Sequence, residues 1–168
     1  DDAMVQVHER LSARSFRLLL AACWARACDT LGARLAPDAD ANGPHRGMSV
    51  PAVRAGVERA LTALYAYFGP DDGLARAALD RCPAYLRARR LVCLYHQSTE
   101  NLIALTRSLS SSGKGSTGKG STTGSTTAAT SALDPRLEGT READVAAVLR
   151  TRMAEGDLWA RAFARECG

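Results

Sequence analysis

The sequence predicts an all-α fold, a helical bundle of about five to six helices with a disordered Gly/Ser/Thr tether before the last two. Three observations carry this. Outside one short stretch the chain is rich in Ala, Arg and Leu, and its apolar residues recur at three- and four-residue spacing. No strand signal survives, because β-branched residues are sparse there and no hairpin dipeptide lies between alternating runs. The stretch itself, Ser110–Thr130 (SSSGKGSTGKGSTTGSTTAAT), lacks aromatic, acidic and large aliphatic residues. It cannot bury enough apolar surface to fold and reads as a flexible coil.

This divides the chain into a helical body (1–109), a flexible low-complexity or engineered linker (110–132) and a C-terminal helical pair (133–168) docking on the body. The linker is marked by composition. Of the 22 Lys and Arg residues, both lysines, Lys114 and Lys119, fall inside it, within repeated GKGST units, and every other one is arginine. Arg over Lys and abundant Ala suit a GC-rich genome, that of a bacterium or a large DNA virus.

The first helix is expected over Met4–Leu35. Met4, Val7 and Leu11, then Phe16, Leu20, Cys23, Ala27 and Leu31, supply its apolar stripe, and Trp24 and Cys28 widen it in the more buried second half. Ala36–Met48 is a loop rich in Pro, Gly, Asp and Asn. Ser49 offers an N-cap and Pro51 sits in the first turn of a second helix, where its missing N–H costs nothing. Val53, Val57, Leu61, Leu64 and Phe68 face inward, and Gly69-Pro70 ends that helix. Asp71 or Asp72 caps a third helix from Gly73, carrying Leu74, Ala78 and Leu79. A break falls near Arg81–Pro83, after which one helix runs to Leu109 with Leu91, Tyr95, Leu102, Leu105 and Leu109 inward. Beyond Asp134-Pro135 and Gly139, Thr140 caps a helix with Val145, Val148, Leu149 and Met153. Glu155-Gly156-Asp157 is a turn, and Asp157 caps a last helix with Trp159, Phe163 and Cys167 at four-residue intervals. Two helices this short are not stable alone and need a surface to dock on.

Bulk numbers narrow the function classes. At 168 residues and 46% hydrophobic, one domain with a real core is the default, built from Leu, Val and Ala because aromatics are only 5%. The net charge of +4 is no polyanion-binding signature, because two of those charges are the linker lysines. The five cysteines are odd in number and follow no disulfide framework, so they read as reduced. No apolar run reaches the roughly 20 residues of a membrane span, and the acidic start DDAM is unlike a signal peptide. The expectation is an intracellular protein, cytoplasmic or nuclear.

Two segments carry candidate chemistry. Tyr95–Asn101 (YHQSTEN) is a polar island in an apolar helix, with His96, Gln97, Glu100 and Asn101 as candidate partner contacts. A buried network fixing helix register is the alternative use of such residues. A catalytic pair of Glu100 and His96 would need a nucleophile and a cleft, and the sequence marks neither. Arg81, Arg87, Arg89 and Arg90 around Tyr85 form the candidate nucleic-acid contact, since Arg grips phosphates and an aromatic ring stacks on bases. Cys82, Cys93 and His96 lack the tight Cys pairs of a zinc site. GKGST has the residues of a phosphate loop without the preceding strand. No cofactor, metal or catalytic residue is assigned. The expected function is a non-enzymatic helical scaffold or adaptor that binds another protein, a helical peptide or a second copy of itself, with nucleic-acid binding through Arg81–Arg90 as the alternative.

Overall fold

The computed structural model describes residues 11–36, 50–69, 73–112, 137 and 139–167. Among them are seven helices and no strand: α1 (Ala13–Leu35), α2 (Val50–Phe68), α3 (Arg76–Asp80), α4 (Pro83–His96), α5 (Thr99–Ser112), α6 (Glu142–Ala154) and α7 (Leu158–Cys167). The fold is all-α, as the spacing predicts. By contacts, its helices sort into two compact units. One holds α1 to α3 and α4 as far as Arg89; the other holds α4 from Arg90, then α5 to α7. The division falls inside the body drawn from the sequence, not at the low-complexity stretch. That stretch from residue 113, the caps assigned to Ser49, Asp71 and Asp72, the loop from 37 to 48, Asp134-Pro135 and the helical start from Met4 lie outside the described residues.

In the first unit α1 packs on α2 and α3. Its centre is Trp24, only 1% exposed. The rings of Tyr85, Phe68 and Tyr65 lie 5.1, 5.6 and 6.2 Å from the indole, so this aromatic-poor chain gathers four rings at one point. The indole Nε1 donates to the Leu79 carbonyl at 3.4 Å, and the Tyr65 hydroxyl donates to Asp80 Oδ1 at 3.0 Å. Burying an indole stabilises such a unit by roughly 4–6 kcal/mol at about 25 cal/mol per Å². Cys28 is fully buried beside this core. Burial first, then the neighbouring Cys82 and Asp29, push its thiol up to about 12, which keeps it protonated and unreactive.

Two helix starts in this unit differ from expectation. α1 begins at Ala13, because the Ser12 hydroxyl accepts the Ser15 N–H at 3.2 Å and caps it there. Its core face is Leu20, Trp24, Cys28, Gly32 and Leu35, whereas Cys23, expected inward, is exposed. α3 begins at Arg76, not Gly73, because Leu74 N–H first turns back to the Phe68 carbonyl at 2.8 Å. A Cβ at Gly73 would stand 2.4 Å from the carbonyl oxygens of Phe68 and Gly69, so only glycine passes there. The break before Pro83 forms as predicted.

In the second unit α5 packs on α6 and α7, which also pack on each other. Leu91, Leu94, Leu102, Val145 and Val148 are its fully buried centre. α5 continues through Ser112, so Ser110 and Ser111 are helical rather than linker. The Ser110 hydroxyl donates to Glu142 Oε1 at 2.7 Å and that of Ser111 to the Ser108 carbonyl at 2.8 Å. Thr140 does not cap α6. Its hydroxyl donates to the Leu137 carbonyl at 2.6 Å, and α6 starts after an extended Arg141. Gly139 between them has φ +73°, and its carbonyl accepts from Arg90 at 3.1 Å.

Candidate interaction surface

The polar island lies at a junction, not within a helix. α4 ends at His96 and α5 begins at Thr99. The Ser98 hydroxyl accepts the Asn101 N–H at 3.2 Å, an N-cap that starts α5. Arg152, arriving from α6, holds the break open. Its guanidinium donates to the carbonyls of Tyr95, at 3.2 Å, and Gln97, and to Thr99 Oγ1 at 2.8 Å. A cation at the last carbonyls of α4 also complements that helix's dipole. Thr99 passes the network on, donating to Asp157 Oδ2 at 2.5 Å. Asp157 Oδ1 accepts the N–H groups of Trp159 and Ala160 at 3.0 and 3.1 Å, so it caps α7 as the sequence predicts. The Thr99 hydrogen bond first, then that from Ala160, hold the Asp157 carboxyl below its ordinary value.

The seven polar residues thus divide by side. Tyr95 and Gln97, through their carbonyls, and buried Thr99 belong to this clamp, Ser98 caps α5, and His96, Glu100 and Asn101 face solvent. Asn101 Nδ2 donates to Gln97 Oε1 at 3.3 Å. Among the described residues no group of three His, Cys, Asp or Glu side chains is placed to hold a metal ion.

Beside the junction, α5 and α7 enclose a cleft of about 250 Å³. Each helix lines it with the same spacing: Glu100, Ile103, Ala104 and Arg107 on α5, and Trp159, Ala162, Phe163 and Glu166 on α7. Positions i, i+3, i+4 and i+7 share one helical face, so two matching stripes meet. The Arg107 guanidinium sits 5.5 Å from the centre of the Phe163 ring and donates to Glu166 Oε2 at 3.4 Å. That ion pair is two-thirds exposed and contributes little stability. Trp159, on the apolar stripe of the last helix, is 65% exposed, and its neighbour Leu158 is 75% exposed. The reason is geometric: Ala160, not Trp159, points into the core, because Asp157 sets the first turn of α7.

Of the residues the sequence singles out as partner contacts, only Glu100 lines this cleft. Arg107, Trp159 and Phe163, which also line it, are not among those candidates, although the paired spacing on two helices is written in the sequence.

The arginine segment is dispersed. Tyr85 is buried against Trp24 and Tyr65, so its ring cannot stack on a base. The Arg89 guanidinium lies 5.6 Å from that ring. Arg90 is engaged with Gly139, Arg87 is half-buried, and Arg81 is exposed. No described helix is long and apolar enough to cross a membrane. No family model, no curated protein and no solved structure matches the chain.

Proposed function

We propose that the chain is a non-enzymatic helical interaction module, an intracellular scaffold or adaptor that receives a partner helix in the α5–α7 cleft. The observation that carries this reading is Trp159, a large aromatic side chain exposed at the rim of an apolar cleft. Exposed tryptophan beside arginine is the composition of a binding hot spot. At about 250 Å³ the cleft is smaller than the roughly 300–1,000 Å³ of small-molecule sites. It suits one or two apolar side chains presented by a helix, the helix-in-groove mode.

Selection of helical peptides from a displayed library tests it. Enriched peptides should lose at least about tenfold in affinity on Trp159→Ala, with helicity by circular dichroism unchanged. Enriched peptides that bind the Trp159→Ala protein equally well would sink the reading.

A further inference from the structure

A helix on the surface of a soluble protein is normally apolar toward the core and polar on its opposite face. α1 departs from this. Its core side holds Leu20, Trp24, Cys28 and Leu35. On the other side, Arg14, Leu18, Ala22 and Arg26 follow one another at four-residue steps, all exposed, with Ser15 and Leu19 alongside. Leu18 is 64% exposed. The row is an apolar strip with an arginine at each end.

Charge says what fits it. α1 carries Arg14, Arg17, Arg26 and Arg34 against the single acid Asp29. Neither Arg14 nor Arg26 forms an ion pair with a described residue. A second copy of the chain packed through this same face would lay Arg14 and Arg26 against arginines, and like charges across an interface are repulsive. A nucleic-acid backbone would satisfy the arginines but leave Leu18 and Leu19 without an apolar partner.

We infer that the outer face of α1 is a second docking surface, and that its occupant is an acidic amphipathic helix. The partner's apolar stripe covers Leu18 and Ala22. Carboxylates at the ends of that stripe meet Arg14 and Arg26, which stand twelve residues apart, roughly 18 Å along the helix. This surface lies in the first unit and does not depend on the α5–α7 cleft.

The test uses the full chain and a displayed library of helical peptides. Each peptide carries a Leu/Ala seam flanked by randomised Glu, Lys and Ser. Glu-rich sequences should be enriched. Fluorescence anisotropy should show at least about tenfold weaker binding to Leu18→Ser and to the Arg14→Glu/Arg26→Glu double variant, with no change on Trp159→Ala. Leu18 is exposed, so its substitution leaves the core intact, and circular dichroism checks this. Enrichment of Lys-rich peptides, absence of any Leu18-dependent peptide, duplex DNA displacing the selected peptides, or a Leu18-dependent dimer in sedimentation would each overturn the inference.

Discussion

Arg152 is half-buried in α6, and its guanidinium reaches acceptors 53 to 57 residues earlier in the chain. Arg152→Ala would strip the carbonyls of Tyr95 and Gln97 of a charged donor, and Thr99 of the cation beside it. Hydrogen bonds to a charged group are worth about 1.5–3 kcal/mol, and a desolvated carbonyl left unpaired costs a comparable amount. We expect Arg152→Ala to destabilise the fold by about 2–3 kcal/mol, read from urea denaturation at constant m value. Arg152→Lys should recover only part of this, because one ammonium cannot span three acceptors as a planar guanidinium does. A loss below about 0.5 kcal/mol, the ordinary size for a surface site, would show that the junction stands without the arginine. None of this was legible in the sequence. There Arg152 is one more arginine on an Ala-rich helix, and its partners are set by tertiary packing alone.

At the level of elements, legibility followed the strength of the local signal. The Pro83 break, the Gly69 stop and the Asp157 cap all appear where the sequence puts them, because proline, glycine and a capping carboxylate act on the backbone within one turn. The break between α4 and α5 was missed. It contains neither Pro nor Gly, and the donor that holds it comes from α6. The face of α1 was legible in part: Leu20, Trp24 and Cys28 lie on the core side as the spacing has them, but Cys23 does not, since Leu and Ala occur all round that helix and the spacing alone does not select Trp24 over Cys23. The α6–α7 turn offers a test through pH. The Asp157 carboxyl is lowered from its ordinary 3.8, chiefly by the Thr99 hydroxyl. A carboxylate depressed by folding adds stability above its unfolded value, and that contribution is lost as pH falls through its folded value. Stability should therefore begin to fall below about pH 4 through this group. Asp157→Asn keeps a capping oxygen but removes the titration. It should be the less stable protein at neutral pH, with the gap to wild type closing in acid. A gap independent of pH would mean that the Thr99 contact does not discriminate between the charged and neutral forms.

Across the whole molecule, the second unit is assembled from pieces far apart in the chain. α5 ends at Ser112, and α6, which starts at Glu142, packs on it. Leu102, Val145 and Val148 are wholly buried together in that unit, and Arg152 joins α6 to the end of α4. The α6–α7 pair is too short to hold its helices alone, so its stability must come from this packing. Lys114 and Lys119 are the only lysines, and a lysine-specific protease can therefore cut nowhere else. Cleavage should give two bands under denaturing conditions but one species at micromolar concentration in size-exclusion chromatography with light scattering, close to the intact 17.9 kDa. With Arg152→Ala the same cut should release the C-terminal fragment at higher concentrations than in wild type. Fragments that separate at micromolar concentration in the wild-type protein would show that covalent connection, not packing, keeps α6 and α7 in place. The outcome bears on function as well. Glu100 and Arg107 lie on one side of the cut and Trp159 and Phe163 on the other, so the α5–α7 cleft exists only while the two pieces stay together. The outer face of α1 contains no residue from beyond the cut, and its peptide binding should survive where that of the cleft is lost.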